Sequence, residues 1–139
     1  MGPNEDPSQA GIAGLDHVNL RTRAERLDTI ARFYVEVLGL VDGPRPNGRE
    51  SGRWLYCGER PVLHLSAVAT SAPIEGRTHA GFDHIAFRTR GAALFRERLA
   101  RLGIAWRDSP RRSAYQIVIE DPDGTKIELN FPPEEAPRG

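Results

Sequence analysis

One segment of the chain occurs twice. Gly14-Leu15-Asp16-His17-Val18-Asn19-Leu20-Arg21-Thr22 returns as Gly81-Phe82-Asp83-His84-Ile85-Ala86-Phe87-Arg88-Thr89, with five of nine positions identical and three more apolar in both copies. The correspondence runs on through each half. Leu38-Gly39-Leu40 matches Leu102-Gly103-Ile104, and Leu63-His64-Leu65 matches Ile127-Glu128-Leu129. The first pair of segments is offset by 67 residues and the later pairs by 64, so one three-residue deletion near the second helix accounts for all of them. A repeat of this size means that one supersecondary unit is used twice, each copy burying its apolar face with help from the other. With 139 residues in total, the chain has room for one domain made of two modules of about 60 residues.

Each half reads as a strand, a helix and a group of short strands. The helices are marked by helically spaced apolar residues, Leu27, Ile30, Phe33, Tyr34, Val37 and Leu38 in the first half and Leu94, Phe95, Leu99 and Leu102 in the second. Both close with glycine where a left-handed residue ends a helix, at Gly39 and Gly103. Asp121-Pro122-Asp123-Gly124 is a turn, and Gly58-Glu59-Arg60-Pro61 holds the equivalent place in the first half. The expected fold class is α+β, with two βαβββ modules forming a curved mixed sheet. Residues 1–12 read as a disordered leader, 13–131 as the domain and 132–139 as a flexible tail. Within the domain, modules 13–68 and 81–131 are joined by a linker at 69–80, and the Gly- and Pro-rich stretch 42–52 reads as a loop.

Alternation along the strands separates two faces. Val18, Leu20, Leu63, Leu65, Ile85, Phe87, Ile117, Ile119, Ile127, Leu129 and Phe131 fall on the side that takes the helices. The other side collects His17, His64, His84 and Glu128, with Trp54, Tyr56, Asn19, Arg21, Arg88, Gln116 and Asn130 around them. A sheet surface that is polar in its middle has the composition of a site.

Composition narrows what that site does. Nineteen basic and nineteen acidic residues cancel, which removes the field that a phosphate-tracking protein needs, so no nucleic acid is expected. The single cysteine, Cys57, excludes an internal disulfide and a Cys-rich zinc site. No apolar run has the length of a membrane span, and the first ten residues carry no secretory signal, so a cytoplasmic protein is expected.

Neutral imidazole and carboxylate suit a divalent first-row metal, and His17, His64, His84 and Glu128 supply up to four ligands. Two His and one Glu already make a facial triad, which makes His64 the dispensable member. A single histidine on a strand is more often a structural hydrogen-bonding group than a ligand. Two equivalent pairs from a repeat, His17 with His84 and His64 with Glu128, weigh against that reading. Trp54 and Tyr56 serve equally as partly buried sheet aromatics or as substrate contacts. No nucleophile arrangement or phosphate loop is present in the sequence.

The strands LDHVNLRT and FDHIAFRT, the segment ARFYVEVLGL and the ending EDPDGTKIELNF resemble the vicinal oxygen chelate superfamily, the glyoxalase, bleomycin-resistance and dioxygenase group. The resemblance covers residues 14 to 131. It implies one divalent metal ion per site (Fe²⁺, Mn²⁺, Zn²⁺, Ni²⁺ or Co²⁺) held by His17, His64, His84 and Glu128. It also implies a small substrate chelated through adjacent oxygens, and isomerase or lyase chemistry or ring-cleaving dioxygenation. Glyoxalase I-like members commonly carry Glu where this chain has His64. Beside Glu128, the stand-in for that missing catalytic carboxylate is Glu120. Small two-module members are usually homodimers whose cups take one module from each chain. The competing expectation is a metal-free drug-sequestering protein with an aromatic crevice built from Trp54 and Tyr56.

Overall fold

The computed structural model describes residues 15–46, 51–68, 84–111 and 114–138. In the first module, strand β1 (Val18–Arg23) passes through a short 3-10 turn into helix α1 (Leu27–Glu36), followed by β2 (Val41–Gly43), β3 (Arg53–Cys57) and β4 (Arg60–Val68). The second module repeats the order with β5 (His84–Arg88), α2 (Ala92–Leu102), β6 (Arg107–Arg111), β7 (Ala114–Glu120) and β8 (Lys126–Phe131). Each builds a four-stranded mixed sheet, ordered β1-β4-β3-β2 and β5-β8-β7-β6. In both sheets the first and last strands pair in parallel and the others antiparallel. This is the expected α+β pair of βαβββ modules. The expected leader and linker lie outside the described residues.

The helices end as their sequences dictate. Gly39 and Gly103 both adopt positive φ, and beyond Gly39 the Leu40 N–H reaches back to the Tyr34 carbonyl. Ile30, Phe33 and Tyr34 of α1, with Val37 just past its end, form a buried stripe. They join Leu55, Leu63 and Leu65 beneath the first sheet and Leu99, Ile117, Ile127 and Leu129 of the second module in one apolar core. Neither module is thereby left to bury its own apolar surface alone.

The turn between β7 and β8 ties the modules together. Asp121 Oδ1 accepts the backbone N–H groups of Asp123 and Thr125, which shapes the turn, while its Oδ2 accepts the buried Tyr34 hydroxyl of α1. Asp123 accepts the Thr22 hydroxyl and the Arg26 guanidinium. Burial, reinforced by Asp121, holds the Tyr34 hydroxyl far above the usual phenol range.

Two expectations are corrected. The stretch 42–52 is not wholly loop, because β2 pairs with β3 there at the sheet edge; three residues are too few to show alternation. The tail is not merely flexible: Pro133–Glu135 form a 3-10 turn. Glu135 Oε2 accepts the N–H groups of Gly91 and Ala92, capping α2 with a carboxylate at the positive end of the helix.

Candidate functional site

Strand register places the candidate residues in two equivalent rows. In the first sheet Asn19, His64 and Trp54 lie side by side across β1, β4 and β3. In the second, Ala86, Glu128 and Val118 hold the same places across β5, β8 and β7. The repeat thus sets His64 against Glu128 as counterparts, with different neighbours on both sides.

Those neighbours decide what each central residue does. In the first row His64 is buried, at 3% exposure, and its ring stacks on Trp54 at a centroid separation of 4.2 Å and an interplanar angle of 6°. Its Nδ1 meets the Asn19 amide nitrogen at 2.8 Å and its Nε2 meets the Ser51 carbonyl oxygen at 2.7 Å. Gly52 makes that approach feasible. A Cβ there would stand 2.3 Å from the Leu65 carbonyl oxygen and 2.9 Å from His64 Nε2, and its φ of +125° suits only glycine. His17, just before β1, packs its ring against Trp54 at 5.0 Å and pairs Nδ1 with Asp16 at 2.6 Å.

In the second row Ala86 and Val118 carry no polar atoms to engage the carboxylate between them. Glu128 Oε2 instead lies 3.3 Å from His84 Nε2 and 3.3 Å from the Gln116 amide nitrogen, which also donates to Asn130 at 2.6 Å. Both members of the His84 and Glu128 pair keep part of their side chains exposed.

The remaining candidates divide. Asn130 and Arg88 pair in register one row beyond Glu128 and line a cavity of about 530 Å³ together with Thr89, Arg90 and Glu135. Arg90 and Glu135 were not evident from the sequence, since the tail that brings Glu135 there has no periodic pattern. Arg21 is exposed on the corresponding strand of the first sheet. Gln116 orients Glu128. Glu120 is exposed at the turn end of β7, opposite Lys126 and one row away from Glu128. Trp54 is 2% exposed and its indole covers His64, so it packs within the first sheet and offers no surface to a ligand. Tyr56 lies over Gly43 and donates to the Pro44 carbonyl, bracing the edge strand. A second hollow, beside α1, is lined by Asp28, Asp42 and Arg53, whose guanidinium pairs with both carboxylates.

The profile of the Glyoxalase/Bleomycin resistance protein/Dioxygenase superfamily matches residues 14–129. The chain belongs to this superfamily. No curated protein matches it. Among solved structures it is similar to a putative glyoxalase family protein from Bacillus anthracis, at 24% identity and TM-score 0.70 over 89% of this chain and 98% of that one. It is also similar to a lactoylglutathione lyase from Agrobacterium tumefaciens, at 20% identity and TM-score 0.62 over 91% and 99%. A third is TnmS3, an antibiotic binding protein from Streptomyces sp. CB03234, at 24% identity and TM-score 0.59 over 89% and 99%. The fold is therefore shared with a lyase and with an antibiotic binding protein.

The donor set of this superfamily member fits a divalent ion in part. Two ligand bonds of about 2.1 Å at 90–109° put their ends about 3.0–3.4 Å apart, and the 3.3 Å between His84 Nε2 and Glu128 Oε2 matches that spacing. His17 fits by residue type and stands on the other sheet. His64 departs from the expectation, since both of its ring nitrogens are engaged by protein groups. Among the described residues no three His, Cys, Asp or Glu side chains converge on one point. A single chain brings the four expected donors together as two pairs, His84 with Glu128 and, at a ring-centroid separation of 6.4 Å, His17 with His64.

Proposed function

We propose that this superfamily member is a divalent-metal-dependent enzyme acting on a small substrate that binds through adjacent oxygens. The observation that carries the reading is the facing pair His84 and Glu128 on the polar side of the second sheet, at the spacing of neighbouring ligands. His17 belongs to the first sheet, so the cup closes when the first module of one chain meets the second module of another in a homodimer. A bound divalent ion would supply charge to polarise substrate oxygens, as an isomerase, a lyase or a ring-cleaving dioxygenase requires.

The rest is the work of this chain's side chains. Gln116 donates to Glu128 and fixes which carboxylate oxygen faces His84. Arg88 and Asn130, one row along, hold the far end of the substrate in the 530 Å³ cavity, and the two arginines there favour an anionic group.

The competing reading, a metal-free binding protein, draws support from the likeness to TnmS3. It loses the aromatic crevice it needs, because Trp54 and Tyr56 are both committed to packing.

Metal analysis of protein purified without chelator, with light scattering on the same sample, tests the proposal. One divalent ion per chain in a dimer supports it. A chain that neither carries nor takes up an ion would leave the binding-protein reading standing.

A further inference from the structure

The tail of the chain closes one side of the cavity beside Glu128. Arg88, Arg90, Asn130 and Glu135 all stand on its wall, and among the described residues neither guanidinium is paired with another group. Asn130 also has donors to offer. Glu128 only accepts, so Gln116 turns its amide nitrogen toward it, and the same nitrogen donates to Asn130 Oδ1 at 2.6 Å. That engages the Asn130 oxygen and leaves its Nδ2 hydrogens for a ligand. Glu135 is differently placed. Its Oε2 accepts the Gly91 N–H at 2.8 Å and the Ala92 N–H at 2.7 Å, at the start of α2. Backbone N–H groups in that position are the donors with which a helix cradles a phosphate, and here the chain's own carboxylate holds them. Its full negative charge also exceeds the half charge of a helix N-terminus, so part of it is left to offset the arginines.

We propose that Glu135 selects the charge of the substrate: with it in place the cavity takes a group bearing one negative charge, a carboxylate, in preference to a phosphate dianion. This rests on the reading above, in which the far end of the substrate lies in this cavity, and deepens it. A carboxylate is matched by the planar forks of Arg88 and Arg90 and by the Asn130 amide. A second ligand charge gains little. The N–H donors that would share it are occupied, Glu135 repels it, and a dianion costs more to remove from water. The cavity of about 530 Å³ is comparable in width with the Debye length of about 8–10 Å, so the repulsion acts wherever in it the group sits. Asn130 follows Glu128 by two residues of strand, about 7 Å. The substrate class is therefore a small acid whose carboxylate stands about that far from its paired oxygens.

The test uses full-length protein kept in chelator, so that anions meet the cavity without a metal. The two probes share a ring, benzoate and phenyl phosphate at about pH 8, where the phosphate is a dianion. Binding is read by ¹⁵N NMR from the arginine Nε signals and the Gly91 and Ala92 amides. Benzoate should bind wild-type protein at least as tightly as phenyl phosphate and move the signals of Arg88 and Arg90. Glu135→Gln should raise the affinity for phenyl phosphate about tenfold relative to benzoate, and the Gly91 and Ala92 amides should then respond to the phosphate. Wild-type protein that prefers phenyl phosphate, or a ratio that Glu135→Gln leaves unchanged, overturns the inference. So does wild-type protein that binds neither probe. These outcomes leave the metal reading intact, because metal analysis decides it separately. If Glu135→Gln does not fold, the wild-type preference between the probes still decides.

Discussion

The Tyr34 hydroxyl of the first module donates to the Asp121 carboxylate of the second at 2.9 Å, inside the core that both share. Removing the hydroxyl by Tyr34→Phe leaves a buried carboxylate oxygen without its donor. The expected loss is about 1–3 kcal/mol in a denaturant titration. Tyr34 also sets an alkaline limit. Its folded pKa is raised by burial, so the stability it contributes is complete below the unfolded phenol value of about 10 and is lost as pH climbs above it. Wild-type stability should fall from there upward, and Tyr34→Phe should flatten part of that slope.

Gly52→Ala tests the clamp on His64. The new methyl group meets the Leu65 carbonyl and the His64 ring at once, in a conformation that L residues avoid. A cost of roughly 2–4 kcal/mol is expected. In a Trp106→Phe background the emission of Trp54 should shift to the red as its cover opens; unchanged emission would show that the clamp does not depend on the glycine.

Arg88→Ala separates substrate binding from metal binding. Among catechols, 2-oxoaldehyde thiol adducts and epimerisable acyl thioesters, whichever substrate is turned over should show KM raised about tenfold with kcat little altered. Metal content should be unchanged. An equal fall in kcat with KM constant would move Arg88 from holding the substrate to the reacting centre.

Glu135→Ala removes the carboxylate that caps α2. A loss of about 1 kcal/mol and a lower Tm are expected, with Glu135→Gln intermediate because it keeps an acceptor but not the charge.

Repeat and alternation sufficed to order the strands into two modules, to separate the faces and to end both helices at Gly39 and Gly103. They put His84 and Glu128 on one face because the direction of both side chains follows strand period. The fate of His64 is not legible in the same way. It depends on a backbone carbonyl at Ser51, and carbonyls are common to every residue and leave no mark in a sequence. Trp54 is equally opaque: its face is predictable, but whether that face is covered depends on the neighbouring ring. Glu135 reaches α2 across more than forty residues of chain with no periodic signal.

The turn that joins the modules has a direction. Asp121 and Asp123 reach from the second copy to Tyr34, Thr22 and Arg26 of the first. At the matching place in the first copy stands exposed Cys57, and Arg98, the counterpart of Tyr34, donates to the Val37 carbonyl. A repeat unit with identical sockets at both ends would accept a third copy and then a fourth. Here the plug stands on one copy and the socket on the other, so the contact between the two units runs one way.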